Sequence, residues 1–258
     1  MGSQKSITDK LLMNNDLHYF PTPWLEVVAE DLTLDSIARS FSEELKSYDI
    51  GKIDDKNYYY VLQVGRHGIS LEEKGNFRNK PLLLDIKWIT RRMGQDLLAK
   101  SVGKRCSTVI DATAGFGRDT FHFIHLNKQV IAIERSPIIG IMLRDAVSRL
   151  LPPSMQQSVE IIVGDARNCL LDCDPVDVVY LDPMFPELKT RSALSGIELR
   201  LLRSLAGSDF DAPELLSIAR SIALQRVVVK RPVRAKPLEG VPDINFKGKT
   251  IRYDVYLT

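Results

Sequence analysis

The sequence holds few of the features that tie a chain to a membrane, a disulfide framework or a metal. It has three cysteines, and Cys169 and Cys173 are spaced too widely for a CxxC knuckle and have no nearby histidine. We therefore expect a reducing, cytoplasmic environment and no metal site. No apolar run approaches the roughly 20 residues that span a bilayer, and no basic-then-apolar signal pattern opens the sequence. We expect neither membrane association nor export.

The net charge of +2 conceals an uneven distribution of charge. Residues 1–61 carry −5 and residues 106–182 carry −4, whereas residues 62–105 and 183–258 carry +6 and +5. Two basic blocks therefore accompany two acidic ones, a pattern compatible with a polyanionic partner. Basic residues that face solvent are a simpler explanation of this pattern, so charge alone does not establish a polyanionic partner.

From residue 108 onward, short apolar runs alternate with amphipathic stretches. The runs lie in STVIDATAG, KQVIAIERSP, VEIIVGDAR, VDVVYLDP and, after a long helical region at 192–224, RVVVKRP. This alternation predicts a parallel sheet covered on both faces, and the final DINFKGKTIRYDVYLT predicts an antiparallel hairpin with a Lys-Gly turn. Five parallel strands closed by a hairpin are the plan of the class I methyltransferase sheet, a Rossmann-like α/β fold. An NAD-binding sheet more often adds a sixth parallel strand.

The first 85 residues lack this rhythm. Residues 32–46 predict an amphipathic helix, and YYYVLQVGRHGISLEEKG predicts a hairpin that turns at Gly65–Gly68. We expect a small α+β domain over residues 1–85 and the class I methyltransferase domain over residues 86–258. A helical connector at 85–102 would lead from one into the other.

TVIDATAGFGRDTF, the first strand–turn–helix unit, places Asp111 at a strand end and then Gly115 and Gly117 before a helix that starts with Arg118 and Asp119. The glycines let the backbone approach a ligand closely. The full GxGxxG is absent, and an acid at the helix N-terminus disfavours a pyrophosphate. A cationic ligand suits the turn better. S-adenosylmethionine (SAM) carries an ammonium and a sulfonium, so we favour SAM over NAD, with an ordinary β–α turn as the alternative.

Two further strand ends carry acids. Glu134 can accept both hydroxyls of a ribose, and Arg135 beside it can pack along an adenine or pair with a carboxylate. Asp165, followed by Ala166, lies where a side chain can reach the adenine amino group. Ligands of open α/β sheets bind along the carboxyl ends of the strands. We therefore expect the acids of three strand ends to form one donor site.

VYLDPMFP ends the fourth run with an acid, prolines and an aromatic ring. Asp182-Pro183-Met184-Phe185 resembles the Asp-Pro-Pro-Tyr type of motif in methyltransferases of exocyclic amines, with Met184 in place of the second proline. Such an amine is a poor nucleophile because its lone pair is delocalised into the ring. Asp182 and the rigidly held Pro183 carbonyl can accept its N–H protons, and Phe185 can stack on the base. We assign these three residues to catalysis, with a rigid loop without a role as the alternative.

Taken together, the motifs resemble the ribosomal RNA small subunit methyltransferase J family. The resemblance rests on DATAGFGRD, the ER pair of IAIERSP, YLDPMFP, VVVKRP and GKTIRYDVY, and covers about residues 61–258. It implies SAM-dependent methylation of N2 of a guanine in 16S ribosomal RNA, with S-adenosylhomocysteine (SAH) as the product. Carried over by motif, the donor contacts are Arg118 with Asp119, Glu134 with Arg135, Asp165 with Ala166, and Asp182. The Asp165-Ala166 pair departs from the two serines of the family.

The resemblance also implies an RNA partner, either 16S ribosomal RNA or the assembled 30S subunit. Lys230 and Arg231 follow the fifth run, Arg91 and Arg92 lie in the +6 block, and Lys189 lies downstream of DPMFP. These five are candidate phosphate contacts, which position a substrate without reading its sequence. Solvated surface charge is the alternative for each.

Three other functions stay open on the sequence alone. DPMF suits any exocyclic amine, so methylation of adenine N6 in DNA or RNA is the nearest alternative. An NAD(P)-binding oxidoreductase could use the same first turn, but it needs an acid or base near the nicotinamide. His122 and His125 fall within a predicted helix and are poorly placed for that role. A non-catalytic RNA-binding module would have no use for Asp182.

Overall fold

The computed structural model describes residues 17–48, 50, 59–74, 80–85, 96–184, 196–207 and 211–258. They form two compact units, which divide between Leu83 and Leu84. The two-domain organisation with a boundary at residue 85 stays a prediction, because compactness alone does not establish independent folding. No helix in the described ranges is long and apolar enough to cross a membrane.

The first unit is a five-stranded sheet with one α-helix. Its strands, which are neighbours in chain order, are β1 (His18–Thr22), β2 (Leu25–Ala29), β3 (Tyr59–Gly65), β4 (Gly68–Lys74) and β5 (Leu82–Leu83). Only β2 and β3 pair in parallel. The predicted hairpin is confirmed, since Gly65 pairs with Gly68.

Helix α1 (Asp35–Lys46) of this unit follows a 3-10 turn at Leu32–Leu34. It buries Ala38, Ser42 and Leu45, which share one face, and packs on β1 and β2. The helix predicted over 32–46 is therefore confirmed from Asp35 onward, and its first turn is of the tighter 3-10 type.

The second unit is a seven-stranded sheet of order β11-β12-β10-β9-β6-β7-β8. The strands are β6 (Thr108–Asp111), β7 (Gln129–Glu134), β8 (Val159–Val163), β9 (Val176–Leu181), β10 (Ala223–Pro232), β11 (Ile244–Lys247) and β12 (Ile251–Leu257). Strands β6 to β10 pair in parallel, and β12 and β11 add in antiparallel orientation. The predicted class I sheet with five parallel strands and a closing hairpin is confirmed.

Helices connect these strands. They are α2 (Leu97–Val102), α3 (Arg118–His125), α4 (Pro137–Leu150), α5 (Pro153–Gln156), α6 (Ala166–Cys169), α7 (Gly196–Ala206) and α8 (Ala212–Ile222). The predicted connector over 85–102 is seen as α2, and residues 86–95 lie outside the described ranges. The long helical region predicted over 192–224 is confirmed in its described parts, which hold α7 and α8. It ends at Ile222, since β10 begins at Ala223.

Strand register brings the acids at the carboxyl ends of the parallel strands together. Strand β9 lies between β10 and β6, and its residues from Val178 to Leu181 are fully buried. Asp111, the last residue of β6, is level with Tyr180 on β9 and Ala132 on β7. Glu134 ends β7 level with Val163, the last residue of β8. The acids after these strands therefore gather along one carboxyl edge, as parallel pairing requires.

Candidate active site

The turn between β6 and α3 is shaped by two glycines in the left-handed region, Gly115 (φ 54°) and Gly117 (φ 81°). A Cβ on Gly117 would lie 2.3 Å from Cδ1 of Leu143 on α4, so this position is closed to any larger residue. The sequence suggested that the glycines admit a ligand. At Gly117 the close neighbour is the protein itself, whereas the Gly115 N–H is directed at Glu134 Oε2, 2.8 Å away.

Asp111 holds the same turn from inside. Its carboxylate accepts from the Thr120 hydroxyl at 2.6 Å and from the Thr113 N–H at 3.3 Å, and it is almost completely buried. Burial raises the pKa of Asp111 to about 7, and the charges of Asp119 and Asp182 add to the rise against those two hydrogen bonds. The geometry gives Asp111 a structural role in the turn that was expected to contact the donor.

Glu134 is fixed at the end of β7 by two backbone donors. Oε2 accepts from Gly115, and Oε1 accepts from the Ser136 N–H at 2.7 Å. The side chain is buried. The carboxylate thus has one orientation at the carboxyl edge, next to the glycine turn, as a ribose-binding acid needs.

A charged cluster lies beyond β7 and β8. Arg167 donates to both oxygens of Asp165, with the shortest distance 2.7 Å, and approaches Asp211 at 3.3 Å. Asp211 also accepts from Arg135 at 3.1 Å. Asp165 caps α6, which starts at the buried Ala166, by accepting from the Arg167 N–H. These bonds hold the pKa of Asp165 below its usual value.

Arg135 therefore pairs with a carboxylate, one of the two roles expected from the sequence. The cluster also contains two residues that sequence reasoning missed, Arg167 and Asp211. A basic residue two positions after a helix-capping acid was the available signal for Arg167. Asp211 had none, since it enters the cluster through the position of α8.

A second cluster joins the first turn to the fourth strand. Oδ2 of Asp119 accepts from the Tyr180 hydroxyl at 2.6 Å and from Lys230 Nζ at 2.7 Å. Lys230 Nζ also donates to Oδ2 of Asp182 at 2.8 Å. Oδ1 of Asp119 is buried and has no hydrogen-bond partner among the described residues. One cation thus bridges the acid of the first turn and the acid of DPMF.

The ionisation states of Asp119, Lys230 and Tyr180 follow from their burial together with the charges beside them. Burial alone would lower the pKa of Lys230, but Asp119 and Asp182 raise it well above its usual value. Burial alone would likewise raise the pKa of Asp119, yet Lys230 and the Tyr180 hydroxyl hold it below its usual value. The pKa of Tyr180 rises well above 10, chiefly through burial. The cluster therefore contains a carboxylate, an ammonium and a neutral phenol.

Asp182 is the most accessible member, with 40% of its side chain exposed against 8% for Asp119. Its backbone N–H donates to the Thr113 hydroxyl at 2.6 Å, which ties the end of β9 to the turn after β6. Pro183 behind it is buried. Burial and the charge of Asp119 raise the pKa of Asp182, and Lys230 opposes them.

The remaining predicted residues are distributed as follows. Arg118 at the start of α3 lies 3.5 Å from Glu198 on α7. Arg231 is buried and donates to the Lys236 carbonyl at 2.7 Å. Phe185, Lys189, Arg91 and Arg92 lie outside the described residues.

The predicted phosphate contacts at Lys230 and Arg231 are thus not supported by the geometry. Both side chains turn inward to protein acceptors, because β10 is an interior strand of the sheet. A lysine inside an otherwise apolar strand is a sequence signal for a buried partner. Within the described ranges, no group of three or more His, Cys, Asp or Glu is arranged to hold a metal ion.

Comparison with known proteins agrees with this geometry. The family model described as "Putative SAM-dependent methyltransferase" matches residues 45–258. The ribosomal RNA small subunit methyltransferase J of Thioalkalivibrio sulfidiphilus is 39% identical over 218 residues, covering 77% of this chain and 84% of that protein. The protein of the same name from Dechloromonas aromatica is 38% identical over 240 residues, covering 86% and 95%.

A solved structure extends the similarity to three dimensions. The crystal structure of a SAM-dependent methyltransferase of Neisseria gonorrhoeae matches with a TM-score of 0.67 and 26% identity, and the match covers 90% of this chain and 95% of that one. The sequence and structure comparisons thus agree on a SAM-dependent methyltransferase. The chain is a SAM-dependent methyltransferase and belongs to the ribosomal RNA small subunit methyltransferase J family.

Proposed function

We propose that this enzyme transfers the methyl group of SAM to the exocyclic N2 amine of a guanine in 16S ribosomal RNA of the small subunit and releases SAH. The observation that carries the proposal is the half-exposed carboxylate of Asp182, held at the carboxyl edge by Lys230 and by Thr113. The names of the curated relatives support the ribosomal substrate. The choice of N2 rests on the resemblance to the ribosomal RNA small subunit methyltransferase J family.

The residues present fit SAM. Asp119 offers a buried carboxylate oxygen without a partner among the described residues, which suits the ammonium of the methionine moiety. Glu134 would accept the ribose hydroxyls from its fixed position, and Arg118 would lie beside the methionine moiety. Asp165 and Ala166 would line the adenine. Each carboxylate oxygen can accept two hydrogen bonds. Arg167 donates two to Oδ1 of Asp165 and one to Oδ2, so Oδ2 can still accept a bond from the adenine.

The chain's own part in the reaction is to hold the amine. SAM supplies a methyl group on a sulfonium, whose sulfur keeps the bonding electron pair when the methyl passes to nitrogen. Asp182 and the Pro183 carbonyl would accept the two N–H protons and favour a pyramidal nitrogen with its lone pair directed at the methyl. Phe185 would stack on the base. Alignment supplies most of the rate gain, and the amine loses its proton to solvent after attack.

An oxidoreductase would need an acid or base near a nicotinamide, and the two histidines of α3 are instead held by neighbouring protein groups. His122 Nε2 lies 3.0 Å from Asp96, and His125 Nδ1 lies 2.7 Å from the Phe121 carbonyl. Methylation of adenine N6 stays an outcome of the test, since the same geometry serves any exocyclic amine. The proposal places the enzyme in the cytoplasm, with ribosomal RNA or the 30S subunit as its partner and without a resident metal.

The substrate is tested by methyl transfer from labelled SAM to 30S subunits and to naked 16S RNA, both from a strain that lacks the modification. Nucleoside mass spectrometry should detect N2-methylguanosine. A label in N6-methyladenosine would support the alternative amine. Calorimetry with SAM, SAH and NADH tests the donor, and an enzyme that binds NADH but neither SAM nor SAH would overturn the proposal.

The role of Asp182 is tested with Asp182→Ala. We expect methyl transfer to fall by about 100-fold or more, whereas SAM affinity weakens only partly because Asp119 and Glu134 remain. Asp174→Ala is the matched control. Asp174 is exposed and lies just before β9, at the amino ends of the parallel strands, away from Asp182. Retention of most activity by Asp182→Ala would show that its assigned role is wrong.

A further inference from the structure

Four exposed cations lie at the same end of the sheet as Asp182. Arg234 and Lys236 lie in the loop after β10, and Lys247 and Lys249 lie at the end of β11 and in the turn before β12. We call these four residues the basic edge. None of them has a carboxylate partner within the described parts of the chain. Their charge is therefore available to a partner.

Strand register places the basic edge at the reacting end of the sheet. Lys247 is level with Arg252 on β12, and Arg252 is level with Arg231 on β10. Leu181, the residue before Asp182, is level with Val229 on β10. Strands β11 and β9 are three spacings apart in the sheet, about 14 Å. The cations thus lie on the same edge as the acid that would hold the target amine.

Two inward-facing arginines fix the loop that carries this charge. Arg252 Nη1 donates to the carbonyls of Val233 and Ala235 at 2.9 and 2.6 Å, and Arg231 Nη2 donates to that of Lys236 at 2.7 Å. The backbone on both sides of Arg234 is therefore held from within. The side chains of Arg234 and Lys236 remain outside, so the cations are presented by an ordered loop.

Lys247 lies across the hairpin from another cation. It is directly opposite Arg252 on the neighbouring strand, and like charges in that arrangement are destabilising. Arg252 itself is engaged by Asp254 at 2.7 Å. A polyanion laid across the hairpin would relieve this repulsion.

We propose that the basic edge binds the phosphate backbone of the ribosomal RNA next to the target nucleotide. This inference rests on the proposed function and replaces the phosphate contacts first expected at Lys230 and Arg231. Contacts of this kind supply affinity and position the substrate without reading its sequence. The base itself would be held by the DPMF motif.

The test compares paired and four-site variants with a two-site control whose charge change equals that of each pair. The variants are Lys247→Gln with Lys249→Gln, Arg234→Gln with Lys236→Gln, and all four together. The control is Lys104→Gln with Arg105→Gln, two exposed cations that precede β6 at the opposite edge. Binding of labelled 16S RNA is measured by fluorescence anisotropy over a range of salt concentrations, together with SAM calorimetry and steady-state methylation.

For the four-site variant we expect the slope of log affinity against log salt to become shallower by about 3, since each phosphate contact contributes 0.7 to 0.9. Each pair should contribute about half of that change. KM for RNA should rise, with SAM affinity and the rate at saturating RNA unchanged. The control pair should leave the slope as in the wild type.

Two outcomes would overturn the proposal: a four-site variant with the wild-type slope and affinity, or a control pair that weakens binding as much as either test pair. Both require a wild-type enzyme that methylates the RNA. If the wild type itself transfers no methyl group to 16S RNA or 30S subunits, the proposed function fails instead, so the two failures are distinguishable.

Discussion

The ammonium of Lys230 lies 2.8 Å from the carboxylate of Asp182, across the parallel register of β10 and β9. The same nitrogen lies 2.7 Å from Asp119 in the first turn. Charge-assisted hydrogen bonds of this kind are strong and directional where water is excluded. Lys230 therefore orients Asp182 and stabilises its negative charge. It also connects Asp182, which is expected to hold the amine, to Asp119, which is expected to contact SAM.

Lys230→Met should move the acid limb of the pH–rate profile to higher pH. Asp182 accepts N–H protons best when it is ionised, because a protonated carboxyl loses acceptor capacity and presents an O–H of its own, so we expect activity to fall as pH falls through its pKa. Lys230 opposes the burial that raises that pKa, and its removal raises the pKa further. Steady-state methylation measured from pH 5 to 9 gives the shift, and Lys230→Arg should restore part of the wild-type profile.

Loss of a buried ion pair also destabilises the fold, by about 3 to 5 kcal/mol, so a control for burial is needed. Lys128→Met provides it. Lys128 is buried too, but its Nζ donates to the Cys106 carbonyl, at the opposite edge of the sheet. We expect this variant to lose stability without moving the pH–rate profile. Equal profiles for both variants would show that Lys230 has only a structural role.

The strands could be predicted from the sequence because parallel strands buried on both faces are continuous apolar runs, and the hairpin because its residues alternate. The partners of polar side chains could not be predicted from the sequence, since they depend on strand register. No local pattern specifies that Val229 is level with Leu181, and this pairing alone brings Lys230 to Asp182. A basic pair after a strand was therefore interpreted as facing phosphate.

Glycine roles show the same limit. The sequence interpretation of Gly117 was close approach to a ligand, but the structure shows the side chain of Leu143 there, 26 positions away on α4. Asp165 is a milder case. Its position at a strand end was predicted, whereas its bonds to Arg167 depend on the cap of α6, a local motif that could have been recognised.

Asp119→Asn should weaken SAM binding by about 10- to 100-fold, because a hydrogen bond to a charged group contributes about 1.5 to 3 kcal/mol. The substitution keeps the shape of the side chain and removes its charge. Calorimetry with SAM and with SAH measures the effect, and the loss should be similar for both, because both carry the ammonium that Asp119 would bind. Tyr180→Phe is the control, since it removes one hydrogen bond to Oδ2 of Asp119 and leaves the charge of the carboxylate. A larger loss of SAM affinity in Tyr180→Phe would contradict this role of Asp119.

Asp111 should make the enzyme less stable as pH rises from about 4 to 7. Its pKa is raised to about 7 in the folded chain, chiefly by burial, against about 3.9 when unfolded. Between these values the folded state binds the extra proton, so deprotonation opposes folding, by up to about 4 kcal/mol at neutral pH. Denaturant unfolding at several pH values should show a flatter dependence for Asp111→Asn. Asp172→Asn, at an exposed position, should keep the wild-type dependence, and an unchanged profile in Asp111→Asn would count against the raised pKa.

Gly117→Ala should destabilise the enzyme by more than its backbone angle explains. Both Gly117 and Gly240 lie in the left-handed region, at φ 81° and 55°, but a Cβ on Gly240 meets nothing within 4 Å, whereas one on Gly117 would lie 2.3 Å from Leu143. Gly240→Ala should therefore cost only the left-handed strain, about 1 to 2 kcal/mol, and Gly117→Ala about 1 to 3 kcal/mol more, from overpacking. Urea unfolding of both variants measures the difference. Combining Gly117→Ala with Leu143→Ala should cost less than the sum of the two single changes, because the second removes the clash created by the first; strictly additive costs would show that Leu143 is not what excludes a side chain from this turn.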